Sequence, residues 1–187
     1  MWDPYQLFVG SLLLFHISEF SLAAFFNPNL IERASLLISG PYLAAMSIAS
    51  LEYWLEQTYF PWMKRPWVTS MGIFLVVAGE ILRKSGIITA KHNFTHRVQL
   101  KHRPEHSLVT TGIYSYMRHP GYAGWVLWAI GTQVMLCNPI CAPLFTYVCL
   151  RFMKRRITIE DQLLRTFFGD EWSAWRKKVP SGLPAIP

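Results

Sequence analysis

Long apolar runs constrain this chain more than any other feature of its sequence. At least three of them have about 20 residues, the length that an α-helix needs to cross a hydrocarbon layer roughly 30 Å thick. Only 16% of the 187 residues are charged, well below the usual quarter or so of soluble domains. We therefore predict an all-α integral membrane protein, a single membrane domain over residues 1–187 with about five transmembrane helices, at residues 5–26, 36–55, 68–88, 121–137 and 140–152.

The last two apolar runs are shorter than the others and are separated by Asn138-Pro139, which is a turn signal. They predict a tight helical hairpin over residues 121–152. Pro143 leaves open whether the second arm crosses the membrane completely. No helix breaker occurs between Phe152 and Gly169, so the last helix is expected to continue into the cytosol as a C-terminal helix.

The net charge of +7 is unevenly distributed along the chain. Residues 83–118 carry seven Lys or Arg and one acid, and residues 151–187 carry eight and four. The positive-inside rule places both segments in the cytosol and Met1 on the opposite side. Because these charges flank membrane spans, they favour contact with anionic membrane lipid and exclude nucleic acid as a partner. Arg83 and Lys84 are expected to extend toward the headgroups.

Four ionisable residues, His16, Glu19, Glu52 and Glu80, fall inside the predicted spans. Such groups are costly in a membrane and usually contact another polar group. His16 and Glu19 are three residues apart on one helix face, so they are candidates to pair with each other. We expect all four residues to hold helices together or to lie at the interface, and their roles stay open.

The loop after the third span contains His92, His96, His102 and His106, with each pair four residues apart. On a helix this spacing would place two imidazoles on one face, an arrangement that suits zinc. The chain lacks the Glu of a His-Glu-x-x-His motif and has no cysteine nearby. We therefore predict no metal site, and expect interfacial histidines or ligands to an organic molecule.

Arg118-His119-Pro120-Gly121-Tyr122 joins this basic loop to the fourth apolar run. A proline disfavours helix in the preceding residue and is well tolerated at the first helical position, so a helix is predicted to begin at Pro120. Exposed amides at a helix start attract anions, which makes this junction a candidate carboxylate or phosphate site. The alternative is an ordinary membrane-helix start with an interfacial Arg and His.

Arg156 and Glu160 are four residues apart and therefore share one helix face. Such a pair is often only a surface ion pair. These two residues, however, leave the membrane on the same side as the junction at His119, so they can converge with it on one cytosol-facing pocket. The turn-rich segment 179–184 is expected to fold back onto the membrane interface.

Seven short motifs occupy residues 79–187. They are GEILR at 79–83, FTH at 94–96, HSLVTTGIY at 106–114, RHPGY at 118–122, GTQVMLCNP at 131–139, FFG at 167–169 and VPSGLP at 179–184. In this order they resemble the isoprenylcysteine carboxyl methyltransferase family. The chain departs from the family pattern at four positions, where Gly121 replaces Ser, Asp161 replaces Glu, and Trp172 and Trp175 replace Tyr.

The resemblance implies a multi-pass enzyme of the endoplasmic reticulum membrane with its active site facing the cytosol. It implies methylation of the C-terminal carboxylate of prenylated cysteine, on trimmed C-a-a-X proteins of the small GTPase type, with S-adenosylmethionine as donor. After three spans in residues 1–88, residues 89–187 would form the cofactor-binding and catalytic region. Arg156 would be the catalytic, substrate-binding residue, and the cofactor-binding residues would be Gln99, His106, Ser107, Leu108, Val109, Tyr114, His119, Pro120, Gly121, Tyr122 and Glu160.

The chemistry of this reaction agrees with the residue types. A free α-carboxyl group has a pKa of about 3.5, so at neutral pH it is already an ionised nucleophile and requires no general base. The enzyme must chiefly position the reacting groups, and Arg156 can hold a carboxylate through two parallel hydrogen bonds. The helix start at His119 and Tyr122 suits the carboxylate of the cofactor. Glu160 suits either its ammonium group or a ribose hydroxyl.

Other functions are compatible with parts of this pattern. One is a membrane methyltransferase that acts on phospholipid amines or small thiols, and another is a non-catalytic membrane scaffold. An NADPH-dependent sterol reductase is disfavoured because the chain contains no nicotinamide-binding fingerprint.

Overall fold

The computed structural model describes residues 3–184 and 186, so the expected placement of Met1 lies outside the described residues. These residues form helices and connecting segments without a strand, which confirms the all-α prediction. The five α-helices are α1 (Pro4–Phe26), α2 (Gly40–Tyr59), α3 (Pro66–Ala90), α4 (Pro120–Met135) and α5 (Cys141–Arg176). Short 3-10 turns occupy Pro28–Leu30, Arg33–Leu36, Pro61–Met63, Lys91–Asn93 and Gly112–Ser115.

Among the described helices, α1 is the one that is both long and apolar enough to cross a membrane by length and composition. The number of transmembrane helices therefore stays a prediction. The second predicted span begins later than expected, at Gly40, because residues Arg33–Leu36 form a 3-10 turn. Ser39 caps α2 by accepting a hydrogen bond from the Tyr42 amide.

Helix α5 continues from the apolar run at 140–152 without interruption as far as Gly169, as predicted, and has 36 residues in all. Pro143 lies in the first turn of α5, where its missing N–H removes no intrahelical hydrogen bond. At Gly169 the backbone adopts φ 53° and ψ −120°, which bends α5 without ending it. A positive φ of this kind is easily adopted by glycine.

Helices α3 and α4 pack together more extensively than any other pair. Their backbones approach at glycines: a Cβ atom on Gly79 would lie 2.5 Å from the Trp128 amide nitrogen. A Cβ on Gly124 would lie 2.5 Å from the Arg83 amide nitrogen. Small residues permit this close approach between helices. On its other side, α4 contacts α1 through stacking of Trp128 on Phe15, with ring centroids 4.1 Å apart.

The connection between α4 and α5 is held by polar contacts to α2. Glu52 accepts hydrogen bonds from the amides of Ile140 (2.7 Å) and Cys141 (2.8 Å). A carboxylate at this position satisfies amides that lack an intrahelical partner and favours the positive end of the helix dipole. Asn138 Nδ2 donates to the Ala49 carbonyl at 2.9 Å. Glu52 thus holds two helices together, as predicted for this residue.

The predicted pair between His16 and Glu19 is wrong. The His16 ring nitrogens instead contact the Leu36 carbonyl at 2.8 Å and the Tyr42 hydroxyl at 2.7 Å. These contacts bring the start of α2 and the turn before it against α1. The reason is that His16 and Glu19 face different neighbours, although they are only one turn apart.

Glu19 is fully buried and contacts three basic side chains. Arg83 donates two hydrogen bonds to its carboxylate, at 2.8 and 2.6 Å. Lys84 donates one at 2.6 Å, and His96 Nε2 donates one at 2.8 Å. The expectation that Arg83 and Lys84 extend to the headgroups is therefore wrong, because the carboxylate on α1 binds both side chains inside the protein.

Candidate functional site

A cavity that is partly open to solvent lies between the segment 90–119, the start of α4 and one face of α5. The cavity is lined by ten of the twelve residues that the resemblance implied for the site: Gln99, His106, Ser107, Leu108, Val109, Tyr114, His119, Gly121, Tyr122 and Glu160.

Pro120 and Arg156 are absent from the lining of this cavity. Pro120 is buried at the first position of α4, as predicted, with His119 as the residue before the helix. It therefore shapes the helix start while its ring stays outside the cavity wall. Arg156 instead contacts Tyr122, which itself lines the cavity.

Tyr122 connects the two residues of the predicted pair on α5. Its hydroxyl donates a hydrogen bond to Glu160 Oε2 and accepts one from Arg156 Nε at 2.8 Å. The Arg156 guanidinium lies 5.2 Å from the centroid of the Tyr122 ring, within range of a cation–π contact. The structure thus brings the helix face of Arg156 and Glu160 to the start of α4.

The Arg156 side chain is partly engaged by the protein itself. Besides its bond to Tyr122, Nη2 donates to the backbone carbonyl of His96. An arginine has five N–H donors, and within the described part of the chain these two bonds are the hydrogen bonds that Arg156 makes. Three donors are therefore available to a ligand.

The side chains of Arg118 and His119 are buried, and the anion site expected at this helix start stays a prediction. Their relative exposures are 4% and 5%. His119 Nε2 donates to Asp161 Oδ1 at 2.9 Å, and Arg118 Nη2 donates to Asp161 Oδ2 at 3.3 Å. Asp161, which the sequence marked only as a departure from the family pattern, supplies a carboxylate that contacts both of these side chains.

The segment 179–184 folds back onto this junction, and its expected place at the membrane interface stays a prediction. The Arg118 amide donates to the Pro180 carbonyl at 2.8 Å, and the His119 amide donates to the Ser181 carbonyl at 3.0 Å. The Arg118 side chain also donates to the Val179 carbonyl at 2.7 Å. These bonds hold the two residues before α4 against the C-terminal segment, with His119 at φ −126° and ψ 57°.

The loop wall of the cavity is non-helical, so the four-residue histidine spacing does not place imidazoles on one helix face. His102 and His106 instead pack against Phe167 and Phe168 of α5, with centroid distances of 5.4–6.0 Å. In the described residues, no group of three or more His, Cys, Asp or Glu is arranged to hold a metal ion. The loop therefore closes one side of the cavity with aromatic contacts.

Burial shifts the ionisation of two groups in the lining. The pKa of His106 is lowered by burial and by the nearby charges of Arg103 and His102. The pKa of Tyr114 is raised by burial and by the carboxylate of Glu160. At neutral pH both side chains are thus held uncharged, which suits contact with the apolar parts of a ligand.

Two buried polar atoms in the cavity lining have no hydrogen-bond partner among the described residues. They are Nδ1 of His106 and Nε1 of Trp175. Buried polar atoms normally have a partner, so these atoms are available to a bound molecule. Sequence reasoning did not assign Trp175 to the site, and it also missed Phe94, Thr95, Leu163, Leu164 and Phe167. Leu163, Leu164 and Phe167 share the helix face of Arg156 and Glu160, so their spacing along α5 is the signal that could have assigned them to the site.

The sequence was compared with families of known proteins. A family model described as the isoprenylcysteine carboxyl methyltransferase family matches residues 71–166. A probable protein-S-isoprenylcysteine O-methyltransferase of Oryza sativa subsp. indica is 46% identical over 182 residues, which covers 96% of this chain and 95% of that protein. The protein-S-isoprenylcysteine O-methyltransferase of Homo sapiens is 42% identical over 188 residues and is covered to 66% of its length.

The fold was also compared with solved structures. The structure of a eukaryotic intramembrane Ras methyltransferase, an isoprenylcysteine carboxyl methyltransferase, superimposes with a TM-score of 0.95 at 37% sequence identity. The match covers 98% of this chain and 67% of that chain. The agreement therefore includes the N-terminal helices, for which the sequence motifs carried no information.

Proposed function

Because this chain belongs to the isoprenylcysteine carboxyl methyltransferase family, we propose that it transfers a methyl group from S-adenosylmethionine to the C-terminal carboxylate of a prenylated cysteine. The observation that carries this proposal is the position of Arg156. It is a cation beside a small-molecule cavity, fixed through two of its donors and with three more available for an anion.

The cavity residues fit the proposed methyl donor. The molecule combines an adenine ring and ribose with a charged methionine end, and so requires apolar walls together with a few polar contacts. Leu163, Leu164 and Phe167 supply apolar wall, while His106 Nδ1 and Trp175 Nε1 supply unpartnered polar atoms. When bound, S-adenosylmethionine supplies the methyl group from its sulfonium centre.

The residues of the chain would act by binding and orienting. Glu160 would accept hydrogen bonds from the ammonium group or a ribose hydroxyl of the donor, and Tyr122 would fix the position of Glu160 relative to Arg156. Since a carboxylate is already ionised at neutral pH, no residue needs to remove a proton from it. Tyr122 is half-buried, and a bound donor would displace water around it and so strengthen each electrostatic contact.

Arg156 would bind the substrate carboxylate. The remaining N–H donors of its guanidinium can form two parallel hydrogen bonds to a carboxylate, which the single ammonium of a lysine cannot reproduce. Its contacts with Tyr122 and the His96 carbonyl would limit its rotation, so the carboxylate would be presented in one orientation toward the cavity.

We further propose the cellular setting. The prenyl chain would stay in the bilayer, while the carboxylate meets the cofactor at a cytosolic opening of the region 89–187. The membrane would be that of the endoplasmic reticulum, and the substrates trimmed C-a-a-X proteins of the small GTPase type. The cytosolic position of this opening is supported by the concentration of positive charge in residues 83–118 and 151–187.

Transfer of labelled methyl groups from S-adenosylmethionine tests this function. Purified protein is supplied with a farnesylcysteine analogue, with unprenylated cysteine or with phosphatidylethanolamine. We expect transfer to the farnesylcysteine analogue alone. Transfer to phosphatidylethanolamine alone would instead favour a phospholipid methyltransferase, and failure to bind S-adenosylmethionine would exclude both.

The role of Arg156 is tested in the same assay. Arg156→Ala should lower kcat/KM for farnesylcysteine by about 100-fold or more, because a charge-assisted double hydrogen bond is lost. Arg155→Ala is the matched control, since Arg155 is exposed on the same helix and should retain wild-type activity. Equal activity of the two variants would contradict the role of Arg156.

A further inference from the structure

Glu19 lies at the centre of a buried ionic cluster outside the cavity. The cluster consists of Glu19 on α1, Glu80, Arg83 and Lys84 on α3, and His96 in the loop. Two carboxylates face two cations, so the charges balance without a charge on His96. An ionic group of this kind in a membrane segment is costly and usually has a function.

Two short paths of contact connect Glu19 with the proposed substrate-binding residue. In the first, the Glu19 carboxylate accepts from His96 Nε2, and the His96 carbonyl accepts from Arg156 Nη2. In the second, Glu19 binds Arg83, whose Nη1 donates at 2.9 Å to the carbonyl of Gly121, the residue before Tyr122. Both contacts of the Arg156 guanidinium therefore lead back to one carboxylate.

His96 is well placed to transmit this constraint. Its side chain is buried against Glu19, with 7% relative exposure, whereas its backbone carbonyl contacts Arg156. The imidazole ring of His96 connects the loop to α1 through its hydrogen bond to Glu19. If the ring contact is lost, the carbonyl is freed to move, and Arg156 gains rotational freedom.

We propose that Glu19 is a positioning residue for Arg156. It fixes His96 and thereby holds the guanidinium in the orientation that binds the substrate carboxylate. This inference rests on the proposed function of Arg156. It differs from simple helix locking because it requires an effect on substrate binding that is separate from any effect on folding or on the cofactor.

Substitution of Glu19 itself would leave Arg83 buried without a counter-charge, with Glu80 remaining as the partner of Lys84, and such a protein can fail to fold. The test therefore uses His96. His96→Leu removes the donor to Glu19, while His96→Gln keeps an N–H donor. His16→Leu is the matched control. His16 lies on α1, as Glu19 does, but its ring nitrogens bond to the Leu36 carbonyl and the Tyr42 hydroxyl and not to the Glu19 cluster.

Steady-state methyl transfer and S-adenosylmethionine binding are measured for each variant in detergent. We expect His96→Leu to raise KM for the farnesylcysteine analogue about tenfold, the effect of losing one charge-assisted contact. Its kcat and its dissociation constant for S-adenosylmethionine should stay within about twofold of wild type. His96→Gln and His16→Leu should behave like wild type in all three quantities.

A double-mutant cycle shows whether His96 acts through Arg156. In an Arg156→Lys background, His96→Leu should have little further effect on KM. The double hydrogen bond between the Arg156 guanidinium and the substrate carboxylate, which His96 helps to orient, is already lost there. An unchanged KM in His96→Leu, or an equal effect in both backgrounds, would overturn the inference while leaving the proposed function intact. Absence of methyl transfer by the wild-type protein would overturn the proposed function and, with it, this inference.

Discussion

At the residue scale, Asp161 is the acid on which the start of α4 depends. It accepts hydrogen bonds from both His119 and Arg118 in a buried setting. Asp161→Asn removes the carboxylate that both side chains contact and should lower the free energy of unfolding by about 3 kcal/mol. Chemical unfolding in detergent, followed by tryptophan fluorescence, measures the change.

Asp170→Asn is the control for this substitution, because Asp170 is exposed on the same helix. It should change stability by less than about 0.5 kcal/mol. If the two variants unfold alike, Asp161 does not have the structural role that its contacts indicate.

The pKa of His106, which burial lowers, predicts a pH dependence of the loop. In the unfolded loop the pKa of this histidine is about 6.5. Below that pH the unfolded form binds more protons than the folded form, so loop stability falls as pH decreases from about 6.5 toward the lower folded-state pKa. The hydrogen-exchange protection factors of residues 94–111, which correct for the slower intrinsic exchange at lower pH, should therefore fall more between pH 7.5 and 5.5 in wild type than in His106→Gln. An equal fall in both proteins would exclude His106 as the cause.

Sequence reasoning brought together Arg156 and Glu160, because a spacing of four residues defines a helix face. It could not select Asp161 as the partner of His119. Adjacent acids point about 100° apart on a helix, and the rotation of α5 against α4 decides which of them meets which neighbour. That rotation depends on packing across the whole bundle.

At the scale of elements, the interface of α3 and α4 depends on its glycines. Gly79→Ala would place a Cβ atom 2.5 Å from the Trp128 amide nitrogen. The helices must then separate, which should lower the free energy of unfolding by about 1–3 kcal/mol. Gly10→Ala in α1 meets no atom within 4 Å and should be neutral or slightly stabilising. Thermal unfolding in detergent compares the two, and equal midpoints would contradict the close approach.

The helix ends show how far local signals extend. Pro120 marked the start of α4 correctly, since its ring geometry suits the first helical position. The start of α2 was misplaced because Leu36 is apolar yet belongs to a 3-10 turn. Gly169 marked a break correctly, since its non-helical backbone divides α5 at a kink, although a further helical stretch continues to Arg176.

At the scale of the whole molecule, the charge distribution predicts an orientation in the membrane. Residue 101 should face the cytosol and residue 62 the opposite side. In sealed vesicles with the cytosolic face outward, an impermeant maleimide should label Lys101→Cys at once. Trp62→Cys should react only after detergent is added, and the native protein gives the background from its three cysteines. Labelling of both positions in sealed vesicles would contradict this topology.

The all-helical fold and the cavity residues were predictable because apolar runs and short motifs are local properties of the chain. The Glu19 cluster was not, since its members come from α1, α3 and the loop. Nothing in the spacing of Glu19, Arg83 and His96 indicates that they meet. Only the packing of α1 against α3 brings these side chains together.

The contacts of residues 179–181 with Arg118 and His119 have a consequence for biosynthesis. The ribosome makes Ser181 about sixty residues after His119, a delay of roughly 3 to 12 seconds at about 5–20 residues per second. During that interval α4 and the first part of α5 have already emerged, while the backbone amides before Pro120 still lack their acceptors. The nascent protein can therefore insert its helices well before the start of α4 gains these acceptors, so the cavity wall at His119 is completed only after Ser181 has been made.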